Sequence, residues 1–403
     1  MPTDDNFSET IRRLGETANM DLTEWFKHQD WLGQNQKEAS ALEMRLRDVW
    51  NLGRNIILQW SQQTKGIKIL AVPHYVIAGD YNDDIPSIVV EHQEFIKGIL
   101  SGPKQVDPDE MENVASILGY RPIDIILGKR SWRLPEGVTD EIVKRFETNY
   151  VEEQAVALFD IVGFSLYSPL EQVTQLNSLS YSLNAAHARM LTKERDIDFA
   201  RSTTGDGFYV WNRDTSIQAN INLYHFMHLA LADNAIARSK SSGSVTPEMR
   251  AAFHVGSHYE FYQSEELSPT RNIFIVGDVT IELARMVDRA SPGQVLVGDF
   301  LAPMINADNG KTERVDTVRF IELTQDSLSS LEGLVLSGER VDAIRCYLTG
   351  DNRGNDFAVR KYLIADKHGL TRHTFNAKIN IYRENSAPIF LGLQDGDIKL
   401  ERI

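Results

Sequence analysis

The sequence predicts an α+β protein in which helices pack on a mixed β-sheet. Three observations indicate this class. Residues 156–165, VALFDIVGFS, form an apolar run rich in β-branched side chains, which is typical of a buried strand. Residues 169–191 place apolar side chains at helical spacing. Asp206 and Gly207 lie between the strand-like runs FARST and FYVW, which predicts a tight hairpin turn.

Composition and charge narrow the classes of function. The 403 residues are enough for two or three domains, each with its own core. With 57 acidic and 42 basic residues the formal charge is −15, and no basic block interrupts the acidity, so we expect no nucleic-acid partner. The single cysteine, Cys346, excludes a disulfide framework and a cysteine-based zinc site, and it fits a cytoplasmic protein.

Targeting signals are not expected. The N-terminal residues 1–15 contain no apolar core of the kind found in signal peptides. The best apolar stretch, residues 68–79, is short and interrupted by Pro73, so we expect no membrane span.

The chain divides into three predicted regions, 1–148, 149–349 and 350–403. The first is an accessory region with an amphipathic helix predicted over 37–60 and a loop predicted at 101–111. The apolar positions of that helix are Leu42, Leu46, Val49, Trp50, Ile56 and Leu58. No chemical motif is recognisable in this region, so we expect it to have a packing or regulatory role.

Two long helices are predicted within 149–349. The first, over 169–191, has an apolar stripe formed by Leu170, Val173, Leu176, Leu179, Leu183, Ala186 and Met190. The second covers 215–240 and precedes a predicted central strand at 250–261. It carries His225 and His228, which could be metal ligands. Because no partner ligand lies nearby in sequence, a packed or solvated pair is the preferred interpretation.

Two aspartates are the main candidates for chemistry. Asp160 ends the buried run and Asp206 lies in the predicted hairpin turn, so both are expected at strand ends. Hard cations such as Mg²⁺ prefer carboxylates together with phosphate oxygens, and two metal ions can clamp the attacking and leaving oxygens of a phosphoryl displacement. The pair therefore predicts a divalent-metal site.

The order and spacing of these segments resemble the class III nucleotidyl cyclases. That family has one metal aspartate in FxDIxGF and the second in TxGD, and residues 250–261 and 272–298 resemble its central strand and its VWGDTVNLAARLxxxAxPGQILVS segment. The resemblance covers about 150 residues. It implies a ferredoxin-like mixed sheet with helices, a nucleoside triphosphate substrate, and a cyclase domain over 149–349.

The resemblance implies a role for each motif residue. Asp160 and Asp206 would bind two Mg²⁺ or Mn²⁺ ions, with the Ile161 carbonyl as an added ligand. The turn containing Phe164 and Ser165 can offer backbone N–H groups to phosphate at the start of the next helix, where the dipole favours anions.

Arg285 aligns with the arginine that reaches the α-phosphate in the transition state, a role for which bidentate geometry suits arginine. The alternative for Arg285 is a surface arginine on an amphipathic helix, and Arg289 fits that alternative better. A further phosphate-binding cation, a lysine in the family, would correspond to Arg340 or Arg345.

Several positions depart from the family pattern. Ile281 stands where the family has a ribose-contacting asparagine, so the ribose would be held differently, for example by Thr280 or Glu282, or activity would be weak. Ser202 and Phe274 match neither the adenine nor the guanine rule for base selection. A bulky Phe274 favours a one-ring base, to which Arg201 or Ser202 could donate at O2 or O4 of uracil. The alternative is that Phe274 only fills a core.

The last region, 350–403, begins with a linker-like DNRGND and continues with short β-rich runs, so it predicts a small β-module. It resembles the adenylyl/guanylyl and SMODS C-terminal sensor domain, over about 50 residues. Cyclases with that module occur in bacterial anti-phage loci, including the pyrimidine cyclases of Pycsar systems. The resemblance implies an immune role.

Two hypotheses follow. The first is a pyrimidine nucleotide cyclase that makes 3′,5′-cyclic UMP, or else cyclic CMP, for a separate cyclic-nucleotide-responsive effector. Its family works as a head-to-tail homodimer with shared active sites. The second is an inactive cyclase-like module that binds nucleotide as a sensor or scaffold, which Ile281 makes conceivable.

Overall fold

The computed structural model describes residues 36–79, 86–129, 131–132, 134, 136–193, 197–241, 245–264, 271–336, 338–353, 356–365, 369–399 and 401–402. These residues fall into two compact units. The first lies within 1–151 and 259–275, and the second within 152–258 and 276–403.

The first unit is built on a three-stranded antiparallel sheet. Its N-terminal elements are α1 (Gln36–Trp50), β1 (Asn55–Gln63), β2 (Gly66–Pro73), α2 (His74–Ala78), α3 (Pro86–Ser101), α4 (Pro108–Leu118), β3 (Ile123–Ile126) and α5 (Glu136–Val143). The strand order is β1-β2-β3. Leu42 and Leu46 of α1 pack in one core cluster with Trp60 of β1, and all three side chains are fully buried.

The helix predicted over 37–60 is wrong in its second half, because the chain turns after Trp50. Asn51 and Leu52 adopt positive φ angles of 50° and 58°, and Gly53 follows at 87°, so no helix continues through them. Ile56 and Leu58 lie in β1 instead. The loop predicted at 101–111 is shorter than expected, since the Asp107 side chain caps α4 by accepting a hydrogen bond from the Asp109 N–H.

The remaining elements follow in chain order. They are β4 (Thr148–Ile161), α6 (Pro169–Leu191), β5 (Phe199–Thr203), β6 (Gly207–Asn212), α7 (Ile217–Lys240), β7 (Met249–Ser264), β8 (Arg271–Val276), α8 (Asp278–Arg289), β9 (Val295–Gly298), β10 (Leu301–Ile305), β11 (Thr312–Asp316), α9 (Thr317–Ser327), β12 (Val335–Leu336), β13 (Glu339–Leu348), β14 (Gly350–Arg353), β15 (Asp356–Val359), β16 (Lys361–Ala365), β17 (Thr371–Arg383), β18 (Ser386–Leu391) and β19 (Glu401–Arg402).

The second unit is a mixed sheet with packed helices, which confirms the predicted α+β class. Its main strand order is β12-β13-β17-β9-β7-β4-β6-β5. β7 and β9 run parallel, whereas β6 is antiparallel to both β4 and β5. Phe159 of β4 meets Phe226 of α7 edge to face, with ring centroids 6.2 Å apart, so the helices and the sheet share one core.

The two long predicted helices are present as α6 and α7, and each begins at a serine cap. Ser168 and Glu171 form a reciprocal capping box at α6, and the Ser216 side chain accepts from Ala219 N–H at α7. The apolar stripe of α6 is buried only in part. Leu170 and Val173 are 77% and 56% exposed, because the first turns of α6 lie outside the core that holds its later residues.

The C-terminal region joins the sheet of the second unit. β17 pairs with β9 on one side and with β13 on the other, so residues 371–383 form an internal strand. In the segment expected to be a linker, residues 350–353 instead pair antiparallel with residues 356–359. The division of the chain into 1–148, 149–349 and 350–403 stays a prediction.

Each helix in the described part of the chain is too short or too polar to span a lipid bilayer.

Candidate active site

Backbone pairing brings the two candidate aspartates to the same end of the sheet. β4 and β6 are antiparallel with Asp160 opposite Gly207, and the Ile161 N–H donates to the Asp206 carbonyl at 3.1 Å. Gly207 permits this approach, because a Cβ atom there would lie 1.9 Å from the Phe159 carbonyl oxygen. The sequence thus predicted correctly that these two residues meet at neighbouring strand ends. Their metal-binding role stays a prediction.

Asp160 sits in a partly buried, charged environment. Its Oδ2 accepts a hydrogen bond from Arg250 Nε at 2.6 Å. Burial raises the pKa of the Asp160 carboxyl, Arg250 opposes that effect, and the charges of Asp206 and Asp288 raise the pKa further. Three carboxylates thus face one guanidinium here, and a divalent cation could neutralise this excess of negative charge.

Sequence reasoning missed Arg250 and Asp288. Arg250 stands at the start of the predicted central strand, and Asp288 lies three residues after Arg285 on α8. Neither has a local signal that links it to Asp160, which is 90 residues from Arg250 in sequence. Their proximity to Asp160 comes from strand and helix placement.

The donor set fits Mg²⁺ or Mn²⁺. Two carboxylates and the Ile161 carbonyl are hard oxygen donors, which these ions prefer. The described part of the chain contains no group of three or more His, Cys, Asp or Glu side chains arranged to hold a metal. The predicted set has only two such side chains, so further oxygen ligands from outside this set would have to complete the coordination of an ion.

The turn after β4 is placed as expected, but the backbone N–H groups at the start of α6 already have side-chain hydrogen-bond partners. Gly163 adopts a left-handed conformation, Phe164 is half-buried and Ser165 is exposed. The Glu171 carboxylate accepts from Ser168 N–H at 2.9 Å, so a negative side chain occupies the first turn of α6. A phosphate would therefore contact the backbone at Phe164 and Ser165 rather than the N-terminus of α6.

Arg285 lies beside a cavity of about 590 Å³ in the second unit. Its side chain is 22% exposed and reaches the Glu282 carboxylate at 3.9 Å, and Glu282 also contacts Arg372 of β17 at closer range. The cavity is lined by His254, Asp278, Glu282, Arg285, Met286, Gly298, Asp299, Ile364, Leu370, Thr371, Arg372 and His373. Arg289, by contrast, is exposed, as its surface interpretation predicts.

The substitutes considered for the missing asparagine are engaged elsewhere. The Thr280 hydroxyl donates to the Gly277 carbonyl at 2.8 Å and accepts from Gly277 N–H at 3.1 Å. Glu282 is held between two arginines. Ile281 is 46% exposed, so α8 presents an apolar side chain at this position.

The residues expected to select the base lie in different units. Ser202 is buried on β5, and neighbouring Arg201 donates to Asn184 Oδ1 at 3.0 Å, both within the second unit. Phe274 belongs to the first unit, where its ring stacks on Phe261 with centroids 5.5 Å apart. That stacking agrees with the packing alternative for Phe274, and the base-selecting role stays a prediction.

The two arginines considered as a further phosphate-binding cation, Arg340 and Arg345, lie outside this cavity. Arg340 is 63% exposed and contacts Glu384 at 3.6 Å, whereas Arg345 lies over the Tyr382 ring. Neither lines the cavity that holds Arg285, and Arg372 does.

The two histidines of α7 are packed side chains. His225 and His228 are both fully buried, and burial lowers the pKa of His228 well below its usual value. His225 Nε2 lies 3.1 Å from Ser327 Oγ. This arrangement agrees with the packed interpretation.

No protein-family profile and no curated protein sequence matches the chain. Among solved structures, it is similar to the guanylate cyclase domain of RhGC from Catenaria anguillulae in complex with GTP, at 12% identity over 58% of this chain and 100% of that chain, with a TM-score of 0.33. It is also similar to the adenylyl cyclase CyaB from P. aeruginosa, at 12% identity over 60% and 97% of the two chains, with a TM-score of 0.29.

Proposed function

We propose that this protein is a nucleotide cyclase. The observation that carries the proposal is the pairing of β4 with β6, which sets Asp160, Ile161 and Asp206 at one strand end as a group of hard oxygen donors. In the proposed reaction the ribose 3′-oxygen bonds to the α-phosphorus of the same nucleotide. The bond from that phosphorus to the bridging oxygen breaks, pyrophosphate leaves, and the 3′-hydroxyl proton passes to solvent. Positioning and charge stabilisation supply most of the acceleration of such a step.

The chain's own residues divide the work. Asp160 and Asp206 would hold two Mg²⁺ or Mn²⁺ ions, which when bound lower the pKa of the 3′-hydroxyl and neutralise the β- and γ-phosphates. The backbone at Phe164 and Ser165 would bind phosphate. Arg285 would donate to the α-phosphate as charge develops, where a planar guanidinium can donate two hydrogen bonds.

The proposed substrate is a pyrimidine nucleotide, with UTP preferred and CTP second. Support comes from the residues at the selecting positions, where Ser202 and Phe274 replace the side chains that recognise purines. The product, cyclic UMP or cyclic CMP, would act on a separate effector in anti-phage defence, as the resemblance of residues 350–403 suggests.

The proposed assembly is a head-to-tail homodimer with two equivalent sites. Each site would take Asp160 and Asp206 from one protomer and Arg285 from the other, as a two-fold operator requires. A chain alone would then be inactive.

The decisive experiment is incubation of the purified protein with all four ribonucleoside triphosphates and Mn²⁺, with products identified by mass. A cyclic pyrimidine mononucleotide is the expected product. Preference for ATP or GTP would contradict the base assignment, and no cyclic product would contradict the activity.

The metal assignment is tested with Asp160→Ala and Asp206→Ala. Each should abolish turnover while the protein stays folded, because each removes a ligand and not core volume. The matched control is Asp198→Ala, since Asp198 forms a surface ion pair with Arg213 at 2.8 Å and should be dispensable. Near-normal turnover by either site variant would refute the two-aspartate assignment.

A second candidate function is nucleotide binding without turnover, which the apolar Ile281 favours. Calorimetric binding of a nucleoside triphosphate with no product after prolonged incubation would support it.

A further inference from the structure

A second cavity in the second unit lies at the C-terminal end of α7, next to the start of β7. It is formed by residues from 231–239, 249–250, 293–295 and 390–393, and its volume is about 470 Å³. We call it the α7 cavity. A space of this size holds a small organic molecule. None of the described residues in its wall is assigned above to contact the nucleotide or the metal ions, so it is a separate site.

The wall of the α7 cavity is apolar in one part and cationic in another. Its apolar side chains include the buried Leu231, Met249 and Val295 and the Phe390 ring, which is 60% exposed. Arg238 and Arg250 add two positive charges, and none of the described wall residues carries a carboxylate. The lining therefore suits an anion that also has an apolar body, and Phe390 favours an aromatic one.

Asn234 of α7 adds an unsatisfied hydrogen-bond donor to this wall. The residue is only 5% exposed, and its Nδ2 has no hydrogen-bond partner within the described part of the chain. Buried amide groups normally have partners, because leaving one unpaired is costly. An acceptor atom on a ligand in the cavity would pair with this donor. The amide and the two arginines thus favour the same kind of ligand, one that accepts hydrogen bonds.

Arg250 connects the α7 cavity to the candidate active site. Its Nε donates to Asp160 Oδ2 at 2.6 Å, and its Nη1 donates to the Ala290 carbonyl at 3.2 Å. The Val162 N–H donates to the Glu248 carbonyl at 2.9 Å, so the start of β7 runs beside the turn that follows Asp160. One guanidinium therefore lines the cavity and also contacts a candidate metal ligand.

We propose that the α7 cavity binds a small organic anion with an apolar body, and that this ligand strengthens divalent-metal binding at Asp160 through Arg250. The positive charge of Arg250 lies beside Asp160 and opposes the binding of a cation there. The two side chains are 23% and 11% exposed, so solvent screens them less than a surface pair. A ligand carboxylate next to Arg250 offsets its charge, and anion and metal then bind better together than separately.

The two parts of the proposal have different foundations. The cavity site follows from the residues of its wall and does not depend on the proposed function. Its coupling to Asp160 rests on the proposed function, because only there does Asp160 bind a metal ion.

The first experiment measures binding of phenylbutyrate to the full chain by calorimetry, without metal or nucleotide. This probe has an aromatic body and one carboxylate. It should bind saturably with one molecule per chain, and its neutral counterpart, phenylbutyramide, should bind about tenfold more weakly. No saturable binding of phenylbutyrate, or equal binding of the neutral amide, would overturn the proposal.

Two variants locate the bound probe. Arg250→Gln should weaken phenylbutyrate binding about tenfold, because it removes the charge that meets the carboxylate. Asn234→Ala should weaken it about fivefold while the melting temperature stays within about 2 °C of wild type, since the amide that it removes has an unpaired donor. The matched control is Arg319→Ala, which removes an arginine from a surface pair with Glu322 at 3.1 Å and should leave the affinity unchanged. Wild-type affinity in both cavity variants would overturn the site.

The second experiment measures the coupling, with free Mn²⁺ followed by electron paramagnetic resonance. Phenylbutyrate should tighten Mn²⁺ binding about fivefold, and saturating Mn²⁺ should tighten phenylbutyrate binding by the same factor, because coupling between two sites is reciprocal. Arg250→Gln should bind Mn²⁺ more tightly than wild type when the probe is absent, and the probe should then have no effect. Equal Mn²⁺ affinities with and without phenylbutyrate in the wild type would overturn the coupling.

These readouts separate this inference from the proposed function. If the wild type makes no cyclic product, the proposed function fails, and calorimetry with phenylbutyrate still decides whether the α7 cavity binds an anion. If the wild type is active but phenylbutyrate does not bind, the cavity site fails and the proposed function stands.

Discussion

Gly207→Ala is the sharpest test of how the fold builds the candidate site. Gly207 lies opposite Asp160 and directly follows Asp206. A Cβ atom at this position would lie 1.9 Å from the Phe159 carbonyl oxygen and 3.1 Å from the Asp160 Cα. Both are backbone atoms, so no side-chain rotation relieves the clash. The two strands must separate, and Asp206 must move relative to Asp160.

The size of the effect follows from that distance. An ordinary carbon to oxygen contact needs roughly 3.2 Å, so β4 and β6 must part by about 1 Å at the end that carries Asp160 and Asp206. Overpacking against an unyielding neighbour costs about 3 kcal/mol of unfolding free energy. A displacement of about 1 Å within a catalytic group can lower the rate about a hundredfold.

Urea unfolding followed by tryptophan fluorescence measures the stability loss, and cyclic nucleotide formation with Mn²⁺ measures the rate. The first control is Gly205→Ala, where a Cβ meets nothing within 4 Å but φ is +99°, so only backbone strain of about 1 kcal/mol is expected. The second is Gly98→Ala in α3, where the space is open and φ is not positive. If Gly207→Ala unfolded at the wild-type midpoint with activity within twofold, close packing of these strands would not position the aspartates.

Three further predictions concern assembly, metal and pH. Asp160→Ala and Arg285→Ala proteins, each inactive alone, should recover about a quarter of wild-type activity when mixed. Half of the dimers then contain both variants, and each of these dimers has one complete site out of two. If no activity returns although differential tags show that subunits exchange, each site lies within one chain. Mn²⁺ should raise the melting temperature of wild type but not of Asp206→Asn, since binding to the folded state adds stability; equal shifts would contradict the site. Burial lowers the pKa of His258 to about 4, so its stabilising neutral form is fully present above about pH 6.5 and is lost as pH falls towards 4. His258→Gln should therefore lose less stability than wild type between pH 7 and 5 in urea titrations, and parallel curves would refute this.

Much of the fold could be predicted from the sequence because its signals are local. The serine caps at Ser168 and Ser216 mark the starts of α6 and α7, since a cap needs only a residue within the next turn. The Asp206-Gly207 turn joins β5 to β6 for the same reason. The turn from Asn51 to Gly53 is a local signal as well, and it ends α1 although the apolar residues on both sides of it follow helical spacing.

The candidate site could be predicted only in part. Asp160 and Asp206 each lie within a recognisable motif. Only one helix and one short strand separate β4 from β6 in sequence, so the order of the elements indicates that these two strands bring the aspartates together. Phe274 shows the limit of such inference. The sequence shows that the side chain at this position is large, but its stacking on Phe261 depends on the pairing of β7 with β8.

The sequence alone determined the two carboxylates, the arginine on α8 and the elements that carry them. Tertiary structure decided which charges those groups face: Arg250 on Asp160, and Arg372 on the Glu282 that Arg285 also contacts. The physical reason is one of range. Caps, turns and apolar periodicity act between residues within a few positions of each other, so they are written in short stretches of sequence. An ion pair depends on distance in space and on burial, and β17 reaches α8 only when the chain inserts it between β9 and β13.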